Sequence, residues 1–169
     1  MKVFIEEQKF TQPIFIGLSI ALIVTGVTII TEWETTIQNS LGEKLGALSA
    51  VIVTLLVILL FMNLKLKTKI DENGVSYQFY PFYRSFKVIS WNTISKSYIR
   101  SYDAIFEFGG WGMKINFFKK KVKAFTTKGN IGLQLELKNG KKILIGTQKK
   151  EELQRVLNTY TKQVYNNEK

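Results

Sequence analysis

The sequence predicts a mixed α+β protein: a two-helix transmembrane hairpin followed by a β-rich domain of about seven short strands with a helix at the C-terminal end. Three observations predict it. Two long uncharged apolar runs lie near the N-terminus, the hydrophobic period changes from helical to alternating after Leu64, and a single amphipathic stripe closes the chain.

The first run, residues 13–30, has 18 residues without a charge, and the second, residues 45–64, has 20. Each matches the length a helix needs to cross the hydrocarbon region of a bilayer. The first is followed by Thr-Glu-Trp-Glu-Thr-Thr and not by a small-residue cleavage pattern, which argues against a signal peptide. Lys2 and Lys9 precede the first run, and Lys65, Lys67 and Lys69 follow the second. The intervening stretch carries Glu32, Glu34, Glu43 and one lysine, Lys44. Lysine enrichment on cytoplasmic flanks then predicts a multi-pass protein of a bacterial inner membrane with both termini cytoplasmic. Residues 1–12 form a cytoplasmic segment, 31–44 an extracytoplasmic loop with Trp33 at the interface, and 65–169 a cytoplasmic domain. Small residues recur every four positions, at Gly17, Ala21 and Thr25 in the first run and Gly46, Ala50 and Thr54 in the second. Such ridges let helices approach closely, within one hairpin or between copies. Neither run carries an ionisable side chain, which disfavours an ion path through the hairpin alone.

From Lys65 the chain alternates, with Lys65, Lys67 and Lys69 opposed to Leu66, Thr68 and Ile70, and Glu72-Asn73-Gly74 turns it into Val-Ser-Tyr-Gln-Phe-Tyr. Further strands are expected at residues 85–91, 95–102, 111–117, 121–126, 131–137 and 141–146, the last two joined by Lys138-Asn139-Gly140. At the end, Leu153, Val156, Leu157, Tyr160 and Val164 recur on one helical stripe. Thr147 precedes the acidic first turn, Glu151 and Glu152, as a cap candidate.

Charge separates the two parts. Residues 1–64 hold three basic and five acidic side chains, a net of −2, whereas residues 65–169 hold 21 and eight, a net of +13. The basic part calls for an anionic neighbour. The chain has no cysteine and no histidine. Disulfides, thiolate nucleophiles and the Ser-His, Cys-His and His-metal solutions of most hydrolases and metalloenzymes are therefore excluded, and the expectation is a non-enzyme with no cofactor and no metal site. Asp103 and Glu107 could in principle form an acid/base pair, but surface loop charges account for them as well.

Three stretches together resemble bacterial membrane proteins that carry a pleckstrin-homology-like (PH-like) domain after two spans. They are Trp91 to Ile94 with W-x-x-I spacing, the Phe108-Gly109-Gly110-Trp111-Gly112 segment, and Ile143 to Gln148 before the final helix. The resemblance implies a half-open β-barrel of seven strands capped by a C-terminal helix, used to bind proteins or lipids without catalysis. Phosphoinositide-binding members use a basic loop between the first two strands, and here that loop is Asp71-Glu72-Asn73-Gly74.

The candidate surface is therefore sought elsewhere. Lys119, Lys120, Lys121 and Lys123, with Lys128 beyond them, form the densest basic cluster, suited to anionic lipid or an acidic partner. The alternative is a solvated hairpin tip that keeps strand edges apart. Gly109 and Gly110 before Trp111 match no phosphate-binding loop and read as a bend, with a possible groove beside it. Aromatic residues such as Tyr77, Phe79 and Phe125 interleave with the basic region, but alternate strand positions assign them to a core, and nucleic acid is disfavoured. The expected function is a membrane-anchored binding or scaffolding module with a protein partner or as a homo-oligomer. The alternatives are an anionic-lipid sensor and an accessory subunit of a transporter.

Overall fold

The computed structural model describes residues 3–10, 13–31, 41–115 and 122–167. The chain divides into two compact units, one of residues 10–63 and one that joins the N-terminal segment to residues 64–169.

The smaller unit holds helices α1 (Pro13–Thr31) and α2 (Leu41–Asn63), which pack on each other. Among the described residues no helix is long and apolar enough to cross a membrane. The expected spans at 13–30 and 45–64, and with them the multi-pass placement in a bacterial inner membrane with both termini cytoplasmic, are corrected on this finding. The expected outer loop, with Trp33, lies largely outside the described residues. The small-residue positions are open in the single chain. Gly17 and Gly46 face open space, with nothing within 4 Å of where a Cβ would stand. Ala21 and Ala50 are exposed, and they accept hydrogen bonds at 2.8 Å from the Thr25 and Thr54 hydroxyls through their carbonyls.

The larger unit is built from two sheets. The first has the order β1 (Phe4–Lys9), β2 (Lys65–Asp71), β3 (Gly74–Tyr80), β4 (Lys87–Ser90), all antiparallel. The second contains β5 (Ile94–Ser101), β6 (Gly112–Ile115), β7 (Val122–Thr126), β8 (Ile131–Leu137) and β9 (Lys142–Gly146), in the order β5-β8-β9-β7-β6. Within it β7 runs parallel to β9. A five-residue helix, α3 (Ala104–Phe108), follows β5, and α4 (Lys150–Asn167) ends the unit.

The protein is thus mixed α+β, but the half-open seven-stranded barrel after a transmembrane hairpin is not what forms. Among the described residues the strands make two sheets of four and five, with no closed barrel. Alternation marks where strands lie but not which sheet they join. It also passes over β1, where the inward residues are Phe4, Glu6 and Gln8, all buried. Glu6 accepts from the Thr147 hydroxyl at 2.7 Å and the Gln148 amide at 2.8 Å. Gln8 donates to the Gly146 carbonyl at 2.7 Å and accepts from the Thr127 hydroxyl at 2.7 Å. These bonds join the buried Phe4 ring and the pairing with β2 in fixing β1, and they satisfy Glu6 and Gln8, since a buried polar group is tolerated only when paired. Thr147 then accepts from the Lys149 amide at 3.1 Å at the entry to α4.

The core lies between the inner faces of the sheets and α4. Leu66, Ile70, Val75 and Phe79 meet Phe125, Leu133, Leu135, Ile143 and Ile145, all buried. Leu153, Val156, Leu157 and Tyr160 give α4 its buried stripe. The indole of Trp91 stacks on Tyr160 at 5.6 Å between centroids and donates through Nε1 to the Asp71 carbonyl at 2.8 Å.

Candidate binding site on the outer face of the five-stranded sheet

A sheet with one face in the core leaves alternate residues on the other. In the second sheet the register Lys96↔Glu136, Tyr98↔Gln134, Glu136↔Lys142, Gln134↔Leu144, Val122↔Lys142 and Ala124↔Leu144 brings these side chains onto the outer face. Part of it is covered by the chain between β5 and β6.

Asp103 starts that cover. Its carboxylate accepts from the Ile105 amide at 2.9 Å and the Phe106 amide at 2.8 Å, a side-chain N-cap for α3. At the other end Gly109, with φ of 69°, closes α3 in the left-handed conformation, its amide donating to the Ile105 carbonyl at 2.8 Å. The Gly110 amide donates to the Ala104 carbonyl at 2.7 Å. The glycines therefore end a helix and turn the chain, and Trp111 lies back over the sheet, its Nε1 donating to the Gly129 carbonyl at 2.9 Å. Tyr102, Ala104, Ala124 and Leu144 form a second small core, with Phe108 and Trp111 packed against it. Burial pushes the Tyr102 hydroxyl up to about 12, so it stays protonated.

Beside this cover a cleft of about 540 Å³ opens, lined by Tyr98, Arg100, Phe106, Glu107, Phe108, Val122, Gln134 and Lys142. Arg100 grips Glu107 with both terminal nitrogens, at 3.0 and 2.8 Å, and its Nε donates to Gln134 Oε1 at 3.1 Å. Glu107 also accepts from the Asp103 amide at 3.0 Å, so the carboxylate that meets Arg100 also braces α3. Lys142 donates to Glu136 at 2.7 Å, and the Tyr98 hydroxyl donates to the same oxygen at 3.2 Å. Phe106 stands at the rim, 91% exposed.

The ion pairs set the protonation states. The Arg100 guanidinium, helped by the Asp103 amide, holds Glu107 below the usual carboxylate range. Lys142, and after it the Tyr98 hydroxyl, lowers Glu136, while Glu136 raises Lys142. Glu107 and Glu136 therefore stay ionised and Lys142 stays protonated near neutrality. Among the described residues no group of acidic side chains is placed to hold a metal ion.

The residues singled out from the sequence are dispersed. Lys119, Lys120 and Lys121 lie outside the described residues. Lys123 is half-buried on β7 with its neighbour Val122 on the opposite face, and Lys128 is exposed in the turn after it, its carbonyl accepting from Gln148 Nε2 at 2.9 Å. Neither lines the cleft. Gly109, Gly110 and Trp111 are brought together, as a helix terminus and a cover. Asp103 and Glu107 are close, as a cap and a brace. Sequence reasoning missed Tyr98, Arg100, Gln134 and Lys142. The signal available was the polar alternation Lys96, Tyr98, Arg100 opposite Gln134 and Glu136, together with an unpatterned phenylalanine between Ile105 and Glu107.

No protein-family model, curated protein or solved structure matches the chain. The family suggested by the three short sequence stretches is thus not supported, and the functional reading rests on the site.

Proposed function

We propose that the protein is a non-enzymatic binding and scaffolding module that holds a protein partner through the cleft beside α3. The observation that carries this reading is Phe106, almost fully exposed at the rim of a cleft with mixed apolar and charged walls. An exposed aromatic beside a concavity is a common anchor of protein recognition. The ion-paired state of Arg100, Glu107, Glu136 and Lys142 supports binding over proton transfer, as does a chain without histidine or cysteine.

The test is quantitative retention of partner protein by the full chain. Phe106→Ala should reduce retention about tenfold, the usual scale for loss of one anchoring aromatic. Val88→Ala, at an exposed apolar position on β4 of the other sheet, should leave it unchanged. Equal retention by the Phe106→Ala chain and the unaltered chain would remove the cleft from the account.

A further inference from the structure

The cleft already holds a carboxylate from its own chain. Arg100 presents a planar fork to Glu107, and the guanidinium is kept in place independently by Gln134 Oε1 and the Ser101 carbonyl, each at 3.1 Å. The fork would therefore stay oriented if Glu107 left it. Bidentate carboxylate recognition is what such a fork does best. Both partners are partly open to solvent, with side-chain exposures of 28% for Arg100 and 40% for Glu107, and exposed ion pairs add little net stability. Exchange for an incoming carboxylate is accordingly inexpensive, whereas loss of Arg100 would leave that carboxylate without its fork.

Resting on the binding reading above, we propose that the ligand is an acidic polypeptide segment whose carboxylate replaces Glu107 on Arg100 while an adjacent aromatic or branched aliphatic side chain packs between Phe106, Tyr98 and Val122. Glu107 is in this sense a resident mimic of the ligand. Lys142, half-exposed at the other side of the cleft, supplies a second positive charge. The net charge of +11 steers an acidic partner toward the protein over longer range. A free phosphate fits less well, because it would leave the apolar walls formed by Phe106, Tyr98 and Val122 unused.

The test is fluorescence anisotropy of the full chain with a labelled peptide containing Glu-Phe-Asp-Leu, against its amide counterpart Gln-Phe-Asn-Leu and with inorganic tripolyphosphate as competitor. Glu107→Gln, which removes the competing charge, should tighten acidic-peptide binding about tenfold. Arg100→Lys, which keeps the charge and loses the fork, should weaken it about tenfold, and the amide peptide should not bind. Hydrogen exchange on the unaltered chain gives a readout that does not depend on how a variant folds. Saturating acidic peptide should speed exchange of the Asp103 amide, which Glu107 otherwise accepts. The Gly109 and Gly110 amides should stay protected if α3 remains formed. Unchanged or weaker binding by Glu107→Gln, no effect of Arg100→Lys, an Asp103 amide indifferent to peptide, no peptide binding, or displacement by tripolyphosphate at lower concentration than by unlabelled peptide would each overturn the proposal. If Phe106→Ala still loses the partner while Glu107→Gln changes nothing, carboxylate exchange falls and the cleft as binding surface stands.

Discussion

Glu6 is a buried acidic side chain that ties the first strand to the far end of the unit. It is only 4% exposed, and its two oxygens take the Thr147 hydroxyl and the Gln148 amide where β9 passes into α4. Glu6→Ala removes both acceptors and leaves the buried Thr147 hydroxyl and the part-buried Gln148 amide without them. Loss of bonds to a charged group costs roughly 2–3 kcal/mol, read as a lowered urea midpoint in the near-ultraviolet circular dichroism of the full chain. Glu6→Gln retains one acceptor and should cost less. Gly74 is a second sensitive position. Its φ of 147° is one that residues with a Cβ rarely adopt, and an added Cβ would run into the Ile89 carbonyl and stand 2.9 Å from Ser90 Cα. Gly74→Ala should destabilise by about 2 kcal/mol or more, in the same measurement. Asn73-Gly74 was legible as a turn; the demand that the neighbouring strand places on Gly74 was not, because it depends on β4 passing close by.

At the scale of elements, α3 shows how a short helix is held without length. Five residues cannot sustain a helix alone, and this one is held by the Asp103 cap and the Gly109 terminus, with the partly exposed Arg100–Glu107 pair as a weaker brace. The pair sets its pH response. Glu107 has a folded-state pKa below its ordinary 4.5 because of Arg100, so the pair's stabilisation is fully present above that value and is lost as pH falls through the lowered one. Glu136 and Asp71, held low by Lys142 and Lys69 respectively, respond in the same sense. The chain has no histidine. Tryptophan fluorescence, to which Trp111 in the cover over the sheet contributes, should therefore hold steady from about pH 8 to about pH 5 and change only below about 4.5. A transition near pH 6.5 would contradict this assignment. Strands with apolar alternation, and the stripe of α4 at Leu153, Val156, Leu157 and Tyr160, were readable because burial there is written in side-chain hydrophobicity. β1 and α3 were not, since one is held by buried polar bonds and the other by a cap and an ion pair. Those partners lie as far as 142 residues away in the chain.

For the whole molecule, the sequence divided at a change of hydrophobic period, and the structure divides into two units whose boundary falls between Asn63 and Leu64. The larger unit also takes in the first residues, because Phe4 to Lys9 pair with Ile70 to Lys65. The apolar runs were legible as helices. Their assignment as membrane spans was not supported, since among the described residues no helix meets the length and apolarity required. Side chains on these helices such as Ile23, Leu48 and Met62 are exposed. The candidate site was only partly legible. Asp103, Glu107, Gly109, Gly110 and Trp111 stood out in the sequence, but Arg100 and Lys142 gain meaning only when β5, β8 and β9 lie side by side. Whether the cleft beside α3 holds the partner is decided by photo-crosslinking with a benzophenone side chain placed at position 106 and, separately, at position 88. Adducts from position 106 to an acidic segment of a partner protein, with none from position 88, are predicted. Adducts from position 88 alone, or from both positions equally, would contradict it.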